Sequence, residues 1–134
     1  MIPPAPLPCP CIDHLPPAQH PWFYNSQRFR LNVTRADMIR AGYSPSLRLF
    51  EAAACGTPII SDRFFGLDTI FEFGTEILIA DRSDDILQYL QEIPENERIA
   101  IGDRARTRVL SQHTAAHRAA QLEGYILQLA TSLT

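Results

Sequence analysis

Residues 44–61, SPSLRLFEAAACGTPIIS, confine this chain to folds in which a helix runs directly into a buried strand. Ser44 is a favoured N-cap, and Pro45 suits a first helical position, where no backbone donor is needed. Gly56 is a natural residue just past a helix C-terminus, and Pro58 stops the helix from continuing. The spacing predicts a helix over about 45–55, with Leu47, Phe50 and Ala54 on one side and Arg48 and Glu51 on another. The strand that follows, PIIS at 58–61, is the kind of apolar run found in parallel strands covered on both faces.

The same alternation continues through the chain. RFRLNVTRA predicts a short strand carrying Leu31 and Val33 and ending near Thr34, and ADMIRAGYS predicts a turn or single helical turn closed by Gly42. FFGLDTIFEFG reads as a loop with a short helix, and EILIA at 76–80 as another buried strand. Ser83 is expected to cap a helix with Asp84 and Asp85 in its first turn and Ile86, Leu87, Leu90 and Ile93 on its apolar side. Pro94 ends it and opens the next helix, about 95–111; Thr114 then caps a last helix with Leu122, Ile126 and Leu129 at helical spacing. Strands alternating with helices imply parallel βαβ units, so the fold class is α/β, an open Rossmann-like sheet flanked by helices. Three strands are few beside the roughly five or six of a self-sufficient doubly wound sheet, so the chain reads as part of something larger.

Eight of the eleven prolines fall within the first 21 residues. Proline removes backbone donors and fixes φ, so residues 1–22 are expected to form an extended or disordered arm, with the domain proper at 23–134. Cys9, Cys11, His14 and His20 in that arm match no standard zinc spacing, and no metal site is expected.

Charge and composition exclude several classes. A formal charge of −3 argues against general nucleic-acid binding, which calls for a basic face. All twelve basic residues are arginine, which fits either coding bias or anion recognition by its planar fork. No apolar run approaches the roughly 20 residues of a membrane span, and the start lacks the pattern of a secretory signal. Three cysteines do not make a disulfide framework, so a cytoplasmic setting is expected. Cys55, among alanines, reads as a small buried residue. His113 and His117 find no third ligand. No P-loop and no nucleophile–base order is present, so no catalytic residue is assigned.

A helix N-terminus exposes free N–H groups and a partial positive charge; Ser44 and Ser46 add hydroxyls, and Arg48 adds a full charge one turn on. Together they suit a phosphate or diphosphate. Glu51 lies roughly 7 Å further along the axis, placed to accept from sugar hydroxyls. A capped helix with a surface Arg–Glu pair accounts for the same residues without a ligand.

SPSLRLFEAAACGTPIISD followed by GLDTIFEFGTEILIA resembles the donor-binding half of glycosyltransferases with the two-Rossmann-domain GT-B architecture. It is most similar to the retaining group-1 type, and within that to the spore-maturation (CgeB-like) branch, a bacterial group; the likeness runs from about Tyr24 to Tyr125. The resemblance implies that Glu51 holds the nucleotide ribose and that the backbone of Ser44, Pro45, Ser46 and Leu47, with Arg48, meets the diphosphate. The family's usual second glutamate, which contacts the donor sugar, is replaced by Tyr43. Asp62, Gly66 and Asp68, in the loop after the strand, are candidates for further donor contacts, and Phe64 and Phe65 for stacking on the donor or docking a missing domain. The implied donor is a nucleotide sugar, with a UDP-sugar expected and no cofactor required. The acceptor half is absent from the chain, so the implied partner is an N-terminal glycosyltransferase half, and transferase activity is expected to be slight in the chain alone. The competing expectation is a non-catalytic interaction module that kept the fold and forms a homodimer.

Overall fold

The computed structural model describes residues 12–133. Helix α1 (His20–Asn25) leads into strand β1 (Arg30–Asn32), followed by α2 (Ala36–Ala41), α3 (Leu47–Ala54) and β2 (Ile59–Ser61). A short 3-10 turn, Leu67–Thr69, precedes β3 (Leu78–Ile79); then come α4 (Ser83–Glu92), α5 (Glu95–Gln112) and α6 (Ala115–Ser132). The three strands are parallel in the order β1-β2-β3, with Leu31 beside Ile60 and Ile60 beside Leu78. The chain is therefore an α/β protein with an open parallel sheet flanked by helices, as expected.

The two faces of the sheet feed two cores. Ile59 and Ile77 join Leu49, Ala52 and Ala53 of α3 and Ala105 and Val109 of α5. Ile60 and Leu78 point the other way, with Ile101, and are covered by Ile86, Tyr89 and Ile93. Each fully buried Leu, Ile or Phe contributes about 1.5–3 kcal/mol, so the fully buried Leu49, Ile59, Leu67, Phe71 and Ile77 anchor the first core. Gly102 lets α5 close on the loop after α3: a Cβ there would come within 2.0 Å of the Gly56 carbonyl oxygen.

Several local expectations are corrected. In β1 the buried side chain is Asn32, while Leu31 is 44% and Val33 67% exposed. β1 is an edge strand, and Leu31, though on the side of Ile60 and Leu78, lies beyond the helices that cover them. On α3 the buried face is Leu49, Ala52 and Ala53; Leu47, in the first turn, is 70% exposed. On α4 the packing residues are Ile86, Tyr89 and Ile93 at i, i+3, i+7, with Leu87 and Leu90 outside. Tyr89 wins its place because its hydroxyl donates to the Ile79 carbonyl at 2.8 Å, tying α4 to β3. The N-cap of α4 is Arg82 instead of Ser83, and Asp85 reaches back to accept from the Asp81 and Arg82 N–H groups, each at 2.9 Å.

The proline-rich stretch is extended only in part where it is described. Pro17 opens a 3-10 turn (Pro17–Gln19), and Pro21 sits in the first turn of α1. Both are positions where the missing donor costs nothing. Cys9 and Cys11 lie outside the described residues. Among the described residues no helix is long and apolar enough to cross a membrane.

Candidate functional site

The carboxyl ends of β1 and β2 meet the N-terminus of α3, the place where open α/β sheets form crevices. α3 begins later than the sequence suggests. Its N-cap is Ser46, whose Oγ accepts from the Arg48 N–H at 3.4 Å, so Ser44 and Pro45 lie in the approach to the helix and Leu47 is its first residue. The approach turns through two left-handed residues, Gly42 (φ 64°) and Tyr43 (φ 51°). The Tyr43 N–H donates to the Phe65 carbonyl at 2.6 Å, and its ring lies on Gly66. A Cβ on Gly66 would stand 2.5 Å from that ring, and Gly66 itself has φ 94°. Thus Tyr43 and Gly66, both singled out in the sequence, are brought together and join the approach to α3 to the loop after β2.

Beneath the helix N-terminus runs a polar network. Arg48 Nη1 donates to Asn32 Oδ1 at 3.5 Å, and Asn32 Nδ2 donates to Ser61 Oγ at 3.0 Å and to Thr34 Oγ1 at 3.3 Å. Asn32 is 1% and Ser61 0% exposed. Asp62 is turned to this network: its two carboxylate oxygens accept from the Thr34 hydroxyl and N–H, both at 2.7 Å. Buried polar groups left unpaired cost about 1–3 kcal/mol each, so the network holds Arg48 and the strand ends in one arrangement. Asp68 goes elsewhere. It is exposed in the 3-10 turn and lines a separate cavity of about 460 Å3 with Arg40, Arg63, Phe64, Phe65 and Phe73. Phe64 is buried, whereas Phe65 is 79% exposed.

Glu51 projects into a second cavity, of about 490 Å3, together with Tyr24, Arg30, Ser46 and Arg48. That size falls within the range of small-molecule sites. Tyr24, 6% exposed, donates its hydroxyl to Glu51 Oε2 at 3.0 Å. His20 Nδ1 lies 3.6 Å from Oε1, and His20 Nε2 is 3.1 Å from the Leu15 carbonyl oxygen. His20, considered as a metal ligand, is thus a neighbour of the carboxylate, and residues 12–15, including His14, form one wall of the cavity. Burial first, and the Glu51 carboxylate second, raise the Tyr24 pKa above that of a free tyrosine.

The cavity lining carries two guanidiniums, Arg30 and Arg48, and two carboxylates, Asp13 and Glu51. The Arg30 guanidinium carbon sits 5.5 Å from the Phe23 ring centroid and 5.7 Å from that of Tyr24, and its buried Nε has no partner. Burial, then the like charge of Arg48, lowers the Arg30 pKa. Two guanidiniums thus stand beside the N-terminus of α3, where backbone N–H groups and the helix dipole also favour negative charge.

Elsewhere, His117 is engaged in the cap of α6: its N–H donates to Thr114 Oγ1 at 3.4 Å, and its Nδ1 accepts from the Thr114 N–H at 3.2 Å. Burial raises the Cys55 thiol pKa, as suits a packing residue more than a nucleophile.

Sequence reasoning missed Asn32, Tyr24 and Arg30. Asn32 is flanked by Leu31 and Val33, and apolar alternation assigned those two to the interior. The available signal was a polar residue at the centre of a strand that a helix arginine can reach. Tyr24 and Arg30 follow the proline-rich stretch, where no ligand-binding pattern marks them.

Comparison with known proteins bears on the fold and the family. A search of curated proteins finds no match. Among solved structures, sucrose-phosphate synthase from Thermosynechococcus elongatus matches with a TM-score of 0.60 and 21% identity, over 82% of this chain and 27% of that one. The chain thus spans about a quarter of the length of that protein, and the likeness establishes the fold, a Rossmann-like half of the GT-B kind. Residues 8–124 match the family described as glycosyl transferase-like. With that match covering most of its length, the chain belongs to the glycosyl transferase-like family.

Proposed function

We propose that this chain is the nucleotide-sugar-binding half of a two-domain glycosyltransferase of the spore-maturation branch, and that its donor is a UDP-sugar. The observation that carries the reading is the cavity beside the N-terminus of α3 that Arg30, Arg48 and Glu51 share, with Asp13 also in its lining. Arg48 and the first N–H groups of α3 take the diphosphate, and Arg30 adds a second guanidinium at the cavity wall. Glu51, oriented by Tyr24, accepts from the ribose hydroxyls. In this reading these groups, with no metal ion, stabilise the charge that develops on the departing nucleoside diphosphate. The acceptor and its positioning come from a separate Rossmann half, and the setting is cytoplasmic. Tyr43, against Gly66, occupies the sugar end of the crevice.

Calorimetric titration of the chain with UDP, GDP and ADP tests the reading. Saturable binding of UDP is expected, with UMP, GDP and ADP clearly weaker; a preference for GDP or ADP would overturn the UDP assignment. Absence of binding by all three at millimolar concentration would overturn it.

A further inference from the structure

Helix α1 presents two side chains to Glu51, one for each carboxylate oxygen. His20 and Tyr24 stand four residues apart on α1, so they share one face of that helix. Tyr24 donates to Oε2, and His20 Nδ1 faces Oε1 at 3.6 Å. The two rings meet edge to face, with 6.2 Å between centroids. The Tyr24 carbonyl accepts from the Thr57 hydroxyl at 2.8 Å, which ties α1 to the loop before β2.

The two contacts differ in kind. Tyr24 brings a hydrogen to the carboxylate, and His20 does not. His20 Nε2 lies 3.1 Å from the Leu15 carbonyl oxygen, and a carbonyl only accepts, so in the neutral ring the proton sits on Nε2. Nδ1 is then an acceptor, and it faces a second acceptor, Oε1, with no hydrogen between them. At 3.6 Å the pair is not a hydrogen bond. Both groups line the same cavity, so they offer a ligand two acceptors side by side. Two adjacent hydroxyls, each donating one hydrogen, match that pair. We propose that His20 Nδ1 and Glu51 Oε1 share the ribose, each accepting from one hydroxyl of its cis-diol. The site therefore selects ribonucleotides over their deoxy counterparts. This role of His20 rests on the nucleotide reading, since the ribose is what brings the hydroxyls.

Calorimetric titration of the full chain with UDP, 2′-deoxy-UDP and 3′-deoxy-UDP is the test, on the wild type and on His20→Phe. Circular dichroism verifies that the variant is folded; phenylalanine keeps a ring against Tyr24 and removes both nitrogens. The wild type is expected to bind UDP about three- to tenfold more tightly than either deoxy analogue, the worth of one hydrogen bond. That comparison tests the arrangement without any substitution. In His20→Phe, discrimination against one analogue should vanish, and discrimination against the other, which belongs to Glu51, should persist. A His20 that only supports the fold would weaken all three ligands alike, and an imidazolium paired with Glu51 would leave both discriminations unchanged. Either result, or a wild type that binds a deoxy analogue as tightly as UDP, would overturn the proposal and leave the nucleotide reading standing. A wild type that binds no UDP would overturn both.

Discussion

The Tyr24 hydroxyl donates to Glu51 Oε2 at 3.0 Å, from a ring that also lies under the Arg30 guanidinium. One aromatic residue thereby positions the carboxylate and flanks the cation of the same cavity. Tyr24→Phe keeps the ring and removes only the donor. A hydrogen bond to a charged group is worth about 1.5–3 kcal/mol, and less here because the Glu51 side chain is 34% exposed. The expected outcome is nucleotide affinity weakened by roughly three- to tenfold and stability lowered by about 1 kcal/mol. Calorimetric titration and urea denaturation read the two effects.

The same phenol sets an alkaline limit. Tyr24 has a folded pKa above the unfolded tyrosine value of about 10, and Tyr89 is shifted the same way, in both cases chiefly by burial. A raised pKa favours the neutral form in the folded state. Its stabilisation is fully present below the unfolded value and is lost as pH rises through the folded one. Melting temperatures should therefore fall above about pH 10, and the fall should flatten in Tyr24→Phe and Tyr89→Phe. A Cys55→Ala background separates the thiol, whose pKa is also raised and whose loss begins nearer pH 8.5.

Asn32 holds Arg48, Ser61 and Thr34 at once. Replacing it with alanine leaves a buried hydroxyl and a guanidinium without their partner, and the expected destabilisation is about 2 kcal/mol. Thr34→Val, which removes the two bonds of the Thr34 hydroxyl, to Asn32 and to Asp62, but keeps the bond from the Thr34 backbone N–H to the Asp62 carboxylate, should cost less. Denaturant midpoints order the two variants.

Gly66 has no room for a side chain, with φ 94° and the Tyr43 ring 2.5 Å from where a Cβ would stand. Gly66→Ala should destabilise by about 1–3 kcal/mol from the left-handed backbone alone, and by more through the clash. Adding Tyr43→Ala should recover only the clash, since the dihedral strain remains. A double-mutant cycle of thermal unfolding separates the parts.

The sequence made the helix–strand order and the parallel sheet legible because punctuation is local: Gly56 and Pro58 end α3, and Thr114 starts α6. It misplaced facing where the local rule had two solutions. β1 is three residues long, and alternation alone does not say which parity faces the helices; tertiary packing buried Asn32 and left Leu31 at the sheet edge. The cap of α3 moved from Ser44 to Ser46 because Gly42 and Tyr43 turn the chain before the helix starts. Arg48 and Glu51 stand out in the sequence by their spacing on one helix. Tyr24 and Arg30 reach the cavity from other elements, so only the fold brings them there.

The central claim is tested most directly by backbone amide NMR of the chain titrated with UDP, beside Arg48→Ala and Glu51→Ala. The account predicts shifts concentrated at residues 46–51 and at Asn32, and affinity at least about tenfold weaker in each variant, or 1.4 kcal/mol. Shifts gathered instead around Phe65, affinity unchanged in both variants, or no shifts at millimolar UDP would contradict it.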